Sequence, residues 1–453
     1  MLRLRRDQPS LWESVLPEEV LALSGELAKV DVVLSDERFF APFRDKFSSH
    51  RGRPTVAVAT YLRMMYLKRR YGLGYESLVK EVKDSFSWRR FCQLSFNDPV
   101  PDSSTLIKLT HKYGEEMVKA LNDTLVLKLK EEKLVRGKKL RLDTYVIEAN
   151  IHYPTDTSLL ADGIKVITRA VAQVKKSGLA QQSRFVNHTR RLKKILSGIS
   201  RVVKERVSLK SAKLEEAKNN LVKLATKVLA RGKEVQVRAE VEVERRAGKE
   251  TRAVSLLKQW LKETEKVIEQ TEAVLEGQRH LPERLVSLFD TEARPIVRGK
   301  ARNPVEFGRK VLLGETDNGI ITTYRVLEGN PADNTLLCPG VKGHRRLFRK
   351  RLKAVTADRG FQSRKNEEWL REQKVPRVAL PFRGKASQER RAYERQSWFQ
   401  RLMRFRAGVE GRISVLKRLF GLDRSLMRGN SGTEIWVGQG IFAQNLWQVA
   451  RNS

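Results

Sequence analysis

The chain has 453 residues, with 90 Lys and Arg against 53 Asp and Glu, and therefore a formal net charge of +37. Hydrophobic residues make up 40% of it, which is enough for a folded core and excludes a disordered basic tail. So large an excess of cations opposes compaction unless a polyanion offsets it, which predicts a nucleic-acid partner. An anionic membrane surface is the competing partner, but the sequence has no apolar stretch of membrane-spanning length, and the segment from Met1 to Arg6 leads into no signal-peptide core.

Cysteine, histidine and glycine patterns exclude several other classes of protein. Cys92 and Cys338 are far apart in the sequence and form no disulfide framework, which is typical of a reducing cytoplasm. The six histidines never lie at zinc-ligand spacing, so neither a zinc finger nor a zinc hydrolase is expected. The sequence has no GxxxxGK[ST] element, so no ATP-driven step is predicted.

Residues 1–135 have the apolar spacing of helices. A helix is predicted from Thr55 to Arg70, a glycine-containing turn at 72–75 ends it, and helices follow at 76–83 and at 105–113, the last with a serine N-cap. The first helix carries four cations that we expect to be exposed and to bind DNA, namely Arg63, Lys68, Arg69 and Arg70. The alternative is an ordinary helical bundle with a solvated basic face.

Two segments carry a carboxylate in or at the end of a strand-like run. Apolar and polar residues alternate from Lys139 to Val146, which predicts a strand with Asp143 on the face opposite the leucines. A second apolar run ends in Asp358, and Gly360 allows a sharp turn after it. An acid at such a strand end lies where open α/β sheets bind ligands. Taken singly, each acid is explained by a cap, a turn or a solvated charge.

A third carboxylate, Glu410, lies on a predicted helix crowded with cations. Glu410, Ser414 and Lys417 share one face of this helix. The neighbouring apolar face is predicted to pack inward and consists of Val409, Ile413, Leu416 and Phe420. A carboxylate close to cations can hold a divalent metal while the cations bind phosphate oxygens. The alternative is a surface ion pair worth a few tenths of a kcal/mol.

The segment 163–290 has almost no strand pattern. Two apolar seams with heptad-like spacing run from 207 to 228 and from 254 to 275, and glycine-containing segments at 231–233 and 247–249 interrupt the pattern between them. The sequence predicts two amphipathic helices that form an antiparallel hairpin or pack against a partner subunit. Their basic outer faces could also contact DNA.

Strand patterns return after residue 300. The apolar runs at 308–313 and 320–327 flank Asn318-Gly319, which predicts a hairpin turn. The final stretch from Glu434 to Arg451 has the apolar spacing of a helix that packs on the core or mediates association.

These motifs, in this order, resemble the DDE transposases of bacterial insertion sequences, which have an RNase H-like catalytic domain. The matching segments are Leu142-Asp143-Thr144, Tyr153-Pro154-Thr155-Asp156, Ala357-Asp358-Arg359-Gly360-Phe361, Glu410-x6-Lys417 and an upstream block from Arg51 to Leu106. The long separation of Asp143 from Asp358 departs from the simplest members, and the predicted helical insertion explains it.

The resemblance implies an α/β fold: an RNase H-like mixed sheet with covering helices, interrupted by the helical insertion and preceded by a helical DNA-binding region. Asp143, Asp358 and Glu410 would share two Mg²⁺ ions, with Mn²⁺ as a substitute, because oxygen-only ligands suit a hard ion. The cations expected to contact DNA near this site are Lys417, Arg418, Arg412 and Arg359.

The resemblance further implies cleavage at transposon ends and transfer of the 3′-OH ends into target DNA. Terminal inverted repeats and target DNA would be the partners of a homodimer or higher oligomer, in the cytoplasm on the bacterial nucleoid. A metal-dependent DNA nuclease without strand transfer and a non-catalytic DNA-binding repressor of transposition are the alternatives. The predicted segments are 1–135 for the N-terminal DNA-binding region, 136–162 and 291–430 for the catalytic domain, 163–290 for the insertion and 431–453 for the C-terminal helix.

Overall fold

The computed structural model describes residues 1–5, 17, 22–23, 25–46, 54–204, 210–245, 251–278, 281, 283–297 and 305–452. The chain divides into two compact units, one formed by residues 1–150 with 308–453 and the other by residues 151–307. The second unit encloses the predicted insertion at 163–290. The finer five-part division inferred from the sequence stays a prediction.

The first unit begins with helices that build an aromatic-rich core. They are α1 (Gly25–Leu34), α2 (Val58–Arg70), α3 (Tyr75–Asp84), α4 (Phe86–Phe91) and α5 (Ser103–Glu131). Gly114, with φ +75°, kinks α5 in a backbone conformation that only glycine adopts at little cost. Residues 51–53, which open the upstream block of the resemblance, lie outside the described residues. Strand β1 (Lys139–Ala149) follows the helices.

The second unit is built mainly from four helices and one short strand. They are α6 (Asp156–Lys176), α7 (Thr189–Lys204), α8 (Lys210–Arg245), α9 (Arg252–Leu275) and β2 (Arg294–Val297). Ion pairs join Lys233 to Glu265 and Glu240 to Lys258, so α9 runs backward along α8. The predicted antiparallel hairpin is therefore confirmed. Val207 of its first seam and the interruption at 247–249 lie outside the described residues.

The predicted interruption at residues 231–233 is wrong, because α8 continues through Gly232. A Cβ atom on Gly232 would lie 2.7 Å from the Leu261 side chain and 3.0 Å from that of Ile167. The glycine is therefore explained by close packing of α8 against α9 and α6, which outweighs the usual helix penalty of about 1 kcal/mol.

The first unit resumes with strands and helices that alternate along the chain. They are β3 (Val305–Glu315), β4 (Ile321–Val326), α10 (Leu337–Phe348), β5 (Ala354–Ala357), α11 (Arg364–Glu372), β6 (Arg377–Ala379), α12 (Gln388–Arg395), α13 (Ser397–Phe420), β7 (Arg424–Ser425) and α14 (Gly429–Asn452). The hairpin predicted around Asn318-Gly319 is confirmed, and Gly319 has φ +76°.

The strands of the first unit form a mixed sheet, so the α/β class is confirmed. Strand β1 pairs antiparallel with β3 and parallel with β5, while β3 pairs antiparallel with β4 and β5 pairs parallel with β6. Helix α13 packs on β1, and the predicted inward positions Val409, Leu416 and Phe420 are buried. The predicted C-terminal helix is α14, whose buried residues pack against α5, α2 and β4.

Candidate active site

Asp143 and Asp358 lie side by side on neighbouring parallel strands. Leu142 of β1 and Ala357 of β5 are register partners, and each acid is the next residue of its chain segment. Neighbouring strands run about 4.8 Å apart, so Asp143, within β1, and Asp358, immediately after β5, lie next to each other across the sheet. Asp143 is buried, with 7% exposure, and Asp358 is half-buried.

The turn after β5 fixes the carboxylate of Asp358. Asp358 caps a short 3-10 helix, and its Oδ1 accepts a hydrogen bond of 2.7 Å from the backbone N–H of Gly360. A Cβ atom on Gly360 would lie 3.1 Å from Asp358 Oδ1 and 2.8 Å from an oxygen of Asp333. The two carboxylates therefore flank the same small space, which only a residue without a side chain leaves open.

Asp333 lies beside Asp358 and contacts the residue that follows Asp143, a position that was not predicted from the sequence. Its Oδ1 lies 2.7 Å from the ammonium of the buried Lys310 and accepts a 3.0 Å hydrogen bond from the hydroxyl of Thr144, the residue after Asp143. The available signal was its place in the turn-rich segment Asn330-Pro331-Ala332-Asp333, which follows the hairpin.

Arg406 connects the third acid to the first. Glu410 lies on the exposed face of α13, with 69% of its side chain exposed, and its Oε1 is 3.2 Å from Arg406 Nη1. The other nitrogen, Arg406 Nη2, is 3.2 Å from Asp143 Oδ2. The sequence analysis missed this bridge, although Arg406 precedes Glu410 by four residues, the spacing of a helical ion pair. Over the described residues, no three His, Cys, Asp or Glu side chains are close enough to hold one metal ion together.

A buried ion triad anchors α13 to the sheet close to these acids. Glu315 of β3 is 1% exposed and accepts from Arg141 Nη2 at 2.6 Å and from Arg412 Nε at 2.8 Å. Arg141 also donates to the backbone carbonyl of Phe405. Arg412, predicted to contact DNA, donates to Gln448 as well and is only 14% exposed, so its guanidinium binds partners inside the protein.

The remaining cations predicted around the site lie at or near the surface. The Lys417 ammonium is half-buried, 5.7 Å from the ring centroid of Tyr145, which shares a strand face with Asp143. Arg418 and Arg359 are exposed. The side chains of Arg418 and Arg359 are therefore accessible to solvent.

The expectation that the cations of α2 are exposed is wrong for three of the four residues. Arg63 is fully buried, where it donates to Asp31 at 2.7 Å and to the carbonyl of Ala59 at 3.2 Å. Arg70 is partly exposed, and it pairs with Glu26 at 2.8 Å. Helix α2 lies in the core of its unit, and the guanidinium groups of Arg63 and Arg70 form ion pairs with acids of the same unit.

Lys68 and Arg69 are also buried, and aromatic rings surround them. The Lys68 ammonium lies 4.5 Å from the centroid of Tyr75 and 4.7 Å from that of Trp436, and the Arg69 guanidinium lies 3.5 Å from Trp436. Burial lowers the pKa of Lys68 to about 6 and that of Arg69 to about 10. Packing against aromatic rings therefore replaces the predicted contact with solvent for both side chains.

Comparisons with known protein families match two parts of the chain. Residues 16–112 match the family described as "Transposase domain (DUF772)", and residues 289–446 match the one described as "Transposase DDE domain". No curated protein and no solved structure gives a significant match. Asp358 and Glu410 lie within the second match, whereas Asp143 lies outside both.

A mixed α/β unit with acids next to each other on adjacent parallel strands, together with these two matches, defines a transposase or nuclease-type enzyme whose partner is DNA. The chain belongs to the DDE transposases of insertion sequences. In the described part of the chain, no helix combines the length and the apolar character needed to cross a membrane.

Proposed function

We propose that this protein binds the ends of its insertion sequence, cleaves phosphodiester bonds there and transfers the 3′-OH ends into target DNA. The observation that carries the proposal is the placement of Asp143 and Asp358 after register-paired residues of parallel strands, with Arg406 between Asp143 and Glu410. The mixed sheet, with β1, β5 and β6 parallel and β3 antiparallel, supports an RNase H-like catalytic domain.

We assign Asp143, Asp358 and Glu410 as the residues that hold the divalent metal, Mg²⁺ or its substitute Mn²⁺. All three candidate donors are carboxylates, the oxygen ligands that hard cations prefer, but in this structure their side chains are not close enough to hold one ion together. Arg406 shows that a cation is accommodated between Asp143 and Glu410, and its guanidinium would have to share or leave this position when the metal binds. When bound, the metal supplies Lewis-acid stabilisation of the phosphodiester and activates the attacking oxygen.

The residues of the chain itself hold the acids and the DNA backbone in place. Backbone N–H groups of Thr144 and Gly360 bond Asp143 and Asp358, at 2.7 Å in each case, and so restrict both carboxylates. The cations Lys417, Arg418 and Arg359 are assigned to phosphate contacts, which orient the scissile strand without reading its sequence. We further propose that two or more copies act together on the two ends.

The test is incubation of the purified protein with Mg²⁺ and labelled DNA from the ends of its own element. The proposal predicts nicking at the element boundary followed by joining of the 3′ end to a second duplex. Cleavage without joining would identify a nuclease, and stable binding without cleavage would identify a non-catalytic DNA-binding protein; either result would overturn the proposed transfer activity.

A further inference from the structure

Helix α7 differs in charge from the helices that surround it. The segment 163–204 contains no Asp or Glu. Within it, α7 (Thr189–Lys204) carries six Lys and Arg residues and no acid, whereas α9 carries four cations and four acids. The positive charge of the second unit is therefore concentrated and not evenly spread.

The cations of α7 lie opposite the face with which the helix packs. Leu192 and Ile199 are 1% and 8% exposed and belong to the core that α7 shares with α6 and α8. On the opposite face, Arg190, Lys194 and Arg201 follow one another at helical spacing and are exposed. We call these three residues the α7 cation row. It is ~16 Å long at 1.5 Å per residue.

Among the described residues, the α7 cation row has no counter-charge within the protein. Throughout the ranges that the structure describes, neither its three members nor the flanking, exposed Arg191 and Lys193 form an ion pair. The pKa of the neighbouring His188 is lowered first by burial and then by the positive charges of Lys227 and Arg191. The local electrostatic environment is therefore positive.

This arrangement costs stability in the isolated protein. Like charges four residues apart on a helix, such as Arg190 and Lys194, repel each other and destabilise it. The second unit does contain acids, and on α8 and α9 they form ion pairs, for example Glu265 with Lys233. A row that leaves its cations unpaired is thus suited to an external polyanion.

The side chains that α7 exposes indicate which kind of polyanion it binds. A basic amphipathic helix binds a membrane by inserting its apolar face, but here Leu192 and Ile199 are already buried within the unit. The face that carries the cation row also carries the small polar residues Ser197 and Ser200, whereas the exposed Val203 of α7 lies on the other side of the helix. Cations with no apolar anchor fit a regular phosphate backbone.

We propose that the α7 cation row binds the phosphate backbone of duplex DNA independently of sequence, as a contact surface separate from the three acids. The inference rests on the proposed function only for the identity of the polyanion. Each phosphate contact releases condensed counterions, so the row contributes to affinity and to its salt dependence but not to the choice of sequence.

The test compares two full-length triple variants in metal-free buffer, so that binding is measured without cleavage. One is Arg190→Gln with Lys194→Gln and Arg201→Gln. The matched control is Lys258→Gln with Lys262→Gln and Lys266→Gln, which removes the same charge from exposed positions of α9. Fluorescence anisotropy over a range of NaCl concentrations gives the affinity for an element-end duplex, an unrelated duplex and a single-stranded RNA.

For the α7 variant we expect the slope of log K against log[NaCl] to become shallower by about 2–3, and duplex affinity to fall about 10- to 100-fold at 0.15 M salt. The loss should be equal on both duplexes, and the control should change much less. The charge-preserving variant Arg190→Lys with Arg201→Lys should keep the wild-type slope, which separates loss of charge from misfolding.

Four results would overturn the inference: an unchanged slope, a loss confined to the element-end duplex, an equal loss in the α9 control, or a loss confined to RNA. Failure of the proposed function gives a different result. If the protein never cleaves element ends but shows the predicted salt dependence, the proposed transposase activity is wrong and the α7 contact with DNA still stands.

Discussion

Arg406 donates a hydrogen bond of 3.2 Å to the carboxylate of Asp143. The same guanidinium reaches Glu410 from four residues away on α13, so one cation neutralises two of the three acids assigned to the metal. Arg406 therefore occupies the electrostatic position that a divalent ion requires, and its charge competes with that ion.

Replacement of Arg406 tests this competition. In Arg406→Gln, removal of the positive charge should lower the half-saturating Mn²⁺ concentration by about tenfold, which corresponds to about 1.4 kcal/mol. Isothermal titration with Mn²⁺ measures the change, and Arg404→Gln, at an exposed position of the same helix, is the control. Equal or weaker metal binding in Arg406→Gln would show that its contacts with the acids do not oppose the ion.

Because the space between Asp333 and Asp358 is small, a single methyl group added at Gly360 should impair DNA cleavage. Gly360 has no positive φ, so alanine fits its backbone, but the new Cβ would lie 2.8 Å from Asp333 and 3.1 Å from Asp358. Gly360→Ala should reduce end cleavage by at least about tenfold through displaced carboxylates, without loss of the folded state. Gly411→Ala, where nothing lies within 4 Å of the added atom, should retain activity. Wild-type cleavage by Gly360→Ala would show that the carboxylates have room to move.

The buried triad around Glu315 predicts a large effect on stability. Glu315→Gln leaves Arg141 and Arg412 without their shared counter-charge, which costs about 3–5 kcal/mol for a buried pair. Glu148→Gln, which breaks the exposed pair with Arg424, should cost no more than about 1 kcal/mol. Urea unfolding measures both changes, and similar values for the two variants would contradict the structural role given to the triad.

His344 predicts a specific loss of stability in acid. It is completely buried, with its ring nitrogens bonded to Thr322 and to the carbonyl of Gly137, and burial lowers its pKa from 6.5 to about 4. Below pH 6.5 the unfolded chain gains a proton that the folded chain does not accept. The contribution of His344 is therefore complete above pH 6.5 and is lost as the pH falls to about 4, by up to about 3 kcal/mol.

The comparison of wild type with His344→Gln isolates this effect. The variant should be less stable at pH 7, because the stacking of His344 on Phe348 is lost, but its stability should fall less between pH 6.5 and pH 4. Urea unfolding across this range gives both curves. Parallel curves for the two proteins would show that His344 does not titrate differently in the folded and unfolded states.

The sequence correctly predicted those helices, strands and turns that depend only on the spacing of nearby residues. The alternation around Asp143, the Asn318-Gly319 turn and the paired seams of α8 and α9 each appear in the structure as predicted. Hydrophobic periodicity and turn formation depend on residues that are close together in the chain, so the sequence alone indicates them.

The errors arose where distant residues decide the environment of a side chain. Arg63 and Lys68 have the spacing of exposed helix cations, but Asp31 and Trp436, both distant in sequence, make their burial possible. Gly232 suggests a helix end in isolation, whereas its contact with Leu261 explains it as a packing position. The Asp333 site likewise depends on Thr144, which is 189 residues away. The residues that flank these positions in the sequence therefore do not indicate which partners they contact.

The most direct measurement of the central claim is strand cleavage and joining on element-end DNA by Asp143→Asn, Asp358→Asn and Glu410→Gln, each with its DNA affinity measured in parallel. An amide keeps the shape of the side chain but removes the negative charge that a hard cation requires. We expect each variant to lose Mg²⁺-dependent cleavage and joining while it binds DNA with nearly wild-type affinity. Near wild-type strand transfer by any one variant would contradict the assignment of that residue to the metal.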